Sequence, residues 1–141
     1  MAKKFRGPEI VKQIDEALDK GLARFIVNTQ SKLSAASPVA TGRLASSWFV
    51  GKGVPNRDQR PEDWATEESP RIEVEKPSQK ITMDTDWYIS NNLPYAERAA
   101  FDPGYIGRRG GNAPGQWFTR IEDNLGRDAE KAFDFFLRKV R

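Results

Sequence analysis

The chain contains no cysteine and no histidine. Without cysteine there can be no disulfide, no thiolate nucleophile and no Cys-based zinc site. Without histidine, the usual general base near neutral pH and the commonest metal ligand are both missing. These two absences turn the reading away from an enzyme, and no cofactor is expected. Serine chemistry has no support either. Ser46 and Ser47 lack a histidine to activate them and any oxyanion-hole signature. The Gly51-Lys52-Gly53 stretch lacks the glycine spacing and following Ser or Thr of a phosphate-binding loop. Long hydrophobic runs are also missing. No stretch approaches a membrane span, and the basic start MAKKFRGPEI has no apolar signal-peptide core. A soluble protein made in the cytosol, with no membrane partner, is expected.

What is present suits one domain over residues 1–141 with a modest core. The chain is polar, with 30% charged residues and a mean hydropathy of −0.71, yet eight Phe and four Trp supply bulky core material. A formal charge of +3 and a pI near 9.3 permit weak contact with phosphate without demanding a nucleic-acid partner.

Residues 1–7 read as a basic tail bearing Lys3, Lys4 and Arg6. Pro8 then suits the first turn of a helix, where its missing N–H would be unpaired anyway, and Glu9 complements the positive helix end. Ile10, Val11, Ile14, Leu18, Leu22, Phe25, Ile26 and Leu33 recur at three- and four-residue steps, predicting a long amphipathic helix over 8–35. Gly21 lies near its apolar stripe, which implies close packing or a kink. Pro38 pushes Ser37 out of the α region and stops the helix. Residues 44–50 alternate and predict a strand, with Leu44, Ser46, Trp48 and Val50 on one face. Residues 51–70, rich in Pro and charge, predict a long excursion in which Trp64 is the one bulky apolar residue. Trp64 either anchors a partner or tucks back on its own sheet.

Two further strands are predicted over 71–75 and 81–90, joined by a hairpin at 76–80. Asn91, Asn92 and Pro94 break the sheet, 95–101 suits a single helical turn, and 102–115 is a Gly-rich basic loop. From Trp117 to Val140 a second amphipathic pattern predicts the last helix. The expected fold is α+β: a long N-terminal helix, a three-stranded antiparallel sheet with long loops, and a C-terminal helix packed on one sheet face.

Two constellations could carry chemistry. Asp84 and Asp86, two apart on one predicted strand, could hold a metal or share a proton, but no third acidic ligand stands beside them. Arg108 and Arg109, flanked by glycine and with Tyr105 nearby for stacking, could meet phosphate and bases.

The stretch SPVATGRLASSW at 37–48 resembles a pattern of tailed-bacteriophage neck and tail-completion proteins, the lambda minor tail protein Z-like and related tail-component families. Pro38, Thr41, Gly42, Arg43, Leu44 and Trp48 match that pattern, along with Ser37, Val39 and Ser47. Downstream, Asn92, Pro94 and Tyr95 within YISNNLPYAERAAF, and Ala113, Pro114 and Gly115 within NAPGQW, are similar to two later family motifs in the same order. Ala40 stands where an Asp is common, and DPGYIGRRGG replaces a short Gly-centred loop. In the joint itself, Pro38 would stop the helix, Gly42 would allow a tight backbone, Thr41 would bond locally, and Leu44 and Trp48 would clamp sheet to helix from one strand face.

The resemblance implies a virion protein of the head–tail junction, assembled in the host cytoplasm. It implies a homo-oligomeric ring, six-fold, between a head-completion or adaptor protein and a tail terminator or tail tube protein. Nonspecific contact with packaged DNA would fall to the basic loop, with Trp64, Tyr105, Arg108 and Arg109 as candidate partner or channel contacts. Two other readings stay open: a soluble nucleic-acid-binding protein using the same loop, and a carboxylate metalloenzyme using Asp84 and Asp86.

Overall fold

A computed structural model describes residues 6–102, 104 and 115–140. The chain order is α1 (Gly7–Ala36), β1 (Trp48–Lys52), β2 (Trp87–Asn91), α2 (Ala96–Phe101) and α3 (Trp117–Leu137). This is an α+β arrangement in which two long helices lie against a small antiparallel sheet. No helix among the described residues is long and apolar enough to cross a membrane.

Helix α1 follows its apolar periodicity closely and spans 30 residues, about 45 Å at 1.5 Å per residue. It begins with Pro in the first turn and Glu9 at the positive end, as the sequence implies. It ends at Ser37, which turns extended ahead of Pro38 while its N–H donates to the Leu33 carbonyl at 3.1 Å. Gly21 marks close packing: a Cβ there would lie 2.6 Å from Phe133 Cδ1 on α3. The helix runs unbroken through it. Helix α3 runs antiparallel to α1, since Trp117 packs with Leu33 near one end and Phe133 meets Gly21 towards the other. Arg138 and Lys139 lie just past the end of α3, where Arg138 faces Asp134 and the Lys139 Nζ sits 4.1 Å from the Phe135 ring centre.

Among the described residues the sheet has two strands where the sequence predicts three. β1 pairs with β2 from Trp48↔Asn91 to Lys52↔Trp87. Residues 71–75 form no ladder, because their backbone groups are taken up elsewhere. The Arg71 N–H donates to the Thr41 carbonyl at 2.9 Å, and the Glu73 N–H donates to Ser46 Oγ at 2.9 Å. The carbonyls of Glu73 and Glu75 accept from Arg60 Nη2 and Gln30 Nε2. Side chains, together with the Thr41 carbonyl, thus do what a neighbouring strand would do. The predicted strand over 81–90 loses its first half to a turn around Met83 and Asp84, and pairing begins at Trp87.

The predicted strand over 44–50 is shortened in the same way. Ser46 N–H bonds back to the Gly42 carbonyl at 2.9 Å, so residues 43–46 curl into a turn and pairing starts at Trp48. Leu44 and Trp48 therefore do not share a strand face. Leu44 packs with Leu93 and Ala99, while Trp48 packs with Leu33, Ala100 and Trp117. The two apolar clusters sit on either side of α2, whose Ala99 and Ala100 enter one each.

The other sheet face is covered by the excursion after β1. Ser90 Oγ donates to the Asn56 carbonyl at 2.8 Å, and Asn92 Nδ2 donates to the Arg57 carbonyl at 3.2 Å. A Cβ on Gly51 would lie 2.2 Å from the Val54 carbonyl oxygen, so the chain folds hard against the strand it has just left.

Gly42 and Gly126 give opposite expectations. Gly42 has φ +90° and its missing Cβ would lie 1.9 Å from the Arg71 carbonyl oxygen. Gly42→Ala should destabilise the fold by about 2–4 kcal/mol in urea unfolding, through left-handed backbone strain and overlap together. Gly126 sits within α3 with nothing near its Cβ position. Gly126→Ala should raise stability by about 0.5–1 kcal/mol in the same assay.

Candidate functional site

The stretch 37–48 is a joint built from buried polar groups. Ser37 is fully buried, and its Oγ donates to the Leu33 carbonyl at 2.6 Å while accepting from Trp48 Nε1 at 2.8 Å. One hydroxyl therefore closes the end of α1 and fixes the indole that opens β1. Gln30, about two turns earlier, is 1% exposed. Its Nε2 donates to the carbonyls of Trp48 and Glu75, each at 2.8 Å. Both neighbours being acceptors fixes the amide orientation. Its Oε1 has no partner among the described residues.

The remaining motif residues complete the joint. Thr41 Oγ1 accepts from the Arg43 N–H at 3.2 Å, the local turn bond that its type favours. Gly42 lets the Arg71 backbone cross directly over it. Arg43 Nε reaches the Arg60 carbonyl at 2.7 Å. Pro38 is half-buried behind the helix end. Asn91, at the end of β2, donates from Nδ2 to the Leu44 carbonyl at 2.9 Å, and its Oδ1 accepts from the Leu93 N–H. Asn92 holds the excursion, Pro94 is exposed, and the Tyr95 carbonyl accepts from the Ala99 N–H to start α2. Gly115 takes φ +72° two residues before α3.

Trp64 lies back on its own chain. Its Nε1 donates to the Arg71 carbonyl at 2.8 Å, and the Arg71 and Arg60 guanidinium carbons lie over its ring at 3.9 and 4.6 Å from the centroid. Tyr105, Arg108, Arg109, Ala113 and Pro114, together with Lys3 and Lys4, lie outside the described residues. Asp84 and Asp86 are exposed, and Asp84 Oδ1 accepts from the Thr82 hydroxyl. No group of three potential metal-ligating side chains occurs among the described residues.

Several residues that matter here carry no motif. Gln30 is detectable in retrospect as a polar residue among Ile26, Thr29 and Leu33 on the buried stripe of α1. Arg60 bonds to the Ser46 and Glu73 carbonyls, and nothing in its Pro- and charge-rich surroundings marks it. The sequence also gave no sign of a large groove between α1, β2, α2 and α3. Its volume is about 780 Å³. Leu22, Phe25, Trp87, Ile89, Phe118 and Leu125 are among its apolar walls. Met83 and Phe101, 49% and 52% exposed, stand in its lining. Among the described residues, Asp86, Glu97 and Glu122 are the charged ones in its lining.

Compared with protein-family models, with curated proteins and with solved structures, the chain gives no match.

Two outcomes test the site. Gln30→Leu keeps the volume roughly but strips the buried Trp48 carbonyl and the part-buried Glu75 carbonyl of their donor, so unfolding free energy should fall by about 1–3 kcal/mol. Millimolar Mg²⁺ or Mn²⁺ should leave the melting temperature unchanged, because a native-state ligand would raise it by mass action; a rise abolished by Asp84→Asn would instead establish a metal site.

Proposed function

We propose that the chain is a structural protein of the head–tail junction of a tailed bacteriophage, acting by shape and contact with no chemical step. The observation that carries this reading is how the motif residues are used. The three motifs occur in family order, and the described members Ser37, Thr41, Gly42, Arg43 and Trp48 are committed to one joint. Residues held this way define a scaffold whose faces are free for assembly.

In this reading copies form a closed ring, six-fold by family resemblance, between a head-completion or adaptor protein and a tail terminator or tail tube protein. Closure requires head-to-tail contacts that return on themselves. The 51–70 excursion is a weak candidate for a reaching arm, since Asn56, Arg57, Arg60 and Trp64 are tied to the chain's own sheet and joint. The 102–115 loop is the better one, because its sequence joins Tyr105, Arg108 and Arg109 with glycine. Facing a channel, such a loop would touch DNA phosphate weakly enough to let the duplex slide.

Immunogold labelling of virions from the source, and of heads and tails separated by gentle disruption, should place the chain at the head–tail junction. Absence of label from every particle part would refute the reading. Salt-dependent DNA binding by the isolated chain would then favour the nucleic-acid alternative. Within the virion, the pair Arg108→Ala and Arg109→Ala should leave folding intact and impair assembly or DNA ejection. Normal infectivity would remove the loop from the mechanism.

A further inference from the structure

The two strands of the sheet have different outer edges. The Gly53 N–H donates to the Asp86 carbonyl at 2.8 Å, continuing the register in which Gly51 faces Tyr88 and Phe49 faces Ser90. Opposed pairs in an antiparallel ladder alternate between bonded and unbonded. Those three pairs therefore exchange the ladder bonds. The backbone groups of Trp48 and Val50 on β1, and of Trp87, Ile89 and Asn91 on β2, point away from the partner strand. On β1 the outward carbonyls are taken: Gln30 Nε2 donates to that of Trp48 at 2.8 Å, and Asn56 Nδ2 to that of Val50 at 3.5 Å. On β2 the outward N–H and C=O groups of Trp87, Ile89 and Asn91 make no hydrogen bond to any described residue.

This open edge lies along the groove. Trp87, Ile89 and Asn91 all line it, together with Phe25 of α1, Phe101 of α2 and Phe118 of α3. No residue of β2 is fully buried. A row of unpaired backbone groups is a template for another strand. A helix has already spent its backbone bonds internally and cannot satisfy that row. The size agrees. A five-residue strand, at about 3.3 Å per residue, 4.8 Å between strands and 10 Å between packed layers, fills on the order of 800 Å³. The groove holds about 780 Å³.

We infer that β2 accepts a strand from another protein: an extended segment of about five residues pairs along Trp87–Asn91 and widens the sheet to three strands. Alternate side chains of that segment lie on the same side as Trp87 and Ile89, inside the groove, and are apolar; those between them face away. Backbone bonds supply the affinity, and the alternate side chains supply the selectivity. The inference goes beyond the junction reading and does not rest on it.

Amide hydrogen exchange of the whole chain, read by NMR, tests the edge first. The ladder should protect Tyr88 and Ser90, while Trp87, Ile89 and Asn91 exchange at least tenfold faster. Equal protection of all five would show an edge already covered and overturn the inference. Random heptapeptides displayed on a carrier are then selected against the chain, and the most enriched one is synthesised. Its sequence should alternate apolar and polar residues, and its binding should slow exchange at Trp87, Ile89 and Asn91. Only every second peptide N–H faces β2, so N-methylation at alternate positions should weaken binding at least tenfold in one phase and little in the other. Ile89→Pro removes an outward donor and no ladder bond, and should weaken the peptide at least tenfold where Ile89→Val does not. The two N-methyl phases decide the matter if Ile89→Pro fails to fold. No enrichment, a helical bound peptide, or equal affinity in both phases would overturn the inference. Self-association that protects the same three amides would overturn it too, since the occupant would then be a second copy. Virion labelling decides the junction reading separately from all of these outcomes.

Discussion

Ser37 and Gln30 satisfy buried polar groups at the place where α1 ends and the sheet begins. A helix leaves its last carbonyls unpaired, and a chain reversing beside it brings more backbone into the same dry space. Ser37 Oγ answers the Leu33 carbonyl and the Trp48 indole at once, and Gln30 answers Trp48 and Glu75. Neither side chain is large. Their bonds fix where the indole of Trp48 sits, and Trp48 is the hub for Trp117 edge-on at 6.3 Å and Phe118 stacked at the same distance. Trp48 and Phe118 of that hub also line the groove.

The same economy explains the small sheet. A third strand would need a continuous row of free N–H and C=O groups along 71–75. Gly42 brings that segment so close to the joint that Thr41, Ser46 and Arg60 capture its groups individually. The result is an extended segment stitched by side chains and by the Thr41 carbonyl. Such a segment is fixed by its three-dimensional neighbours, and no alternation of residue types can distinguish it from a strand.

This marks where sequence reading succeeds here and where it stops. The helices were legible because each is amphipathic over many turns: α1 is found within a residue of its predicted ends, and α3 starts at Trp117 as predicted. The glycine at 42 was legible as a tight turn, although the Arg71 backbone that demands it was not. Strand ends failed at 44–47 and 81–86 because local turns competed with pairing, and alternation is silent about that competition. Trp64 was legible as exceptional, but its contact with two arginines depends on Arg60 and Arg71 meeting at its ring across the excursion. Gln30 carried a signal in its position on the apolar stripe. The groove carried none, because a concavity between four elements belongs to no stretch of chain.

The distribution of polar groups bears on what kind of work the molecule does. Among the described residues the buried polar side chains, Thr29, Gln30, Ser34, Ser37, Ser46 and Ser47, are all uncharged. Charged residues at the joint, such as Arg43 and Arg60, spend their donors on backbone carbonyls. What remains uncommitted is surface: the apolar groove between α1, β2, α2 and α3, with Asp86, Glu97 and Glu122 among its described lining. In a chain whose buried polarity is taken up by architecture, such a concave apolar face is where binding free energy can still be gained.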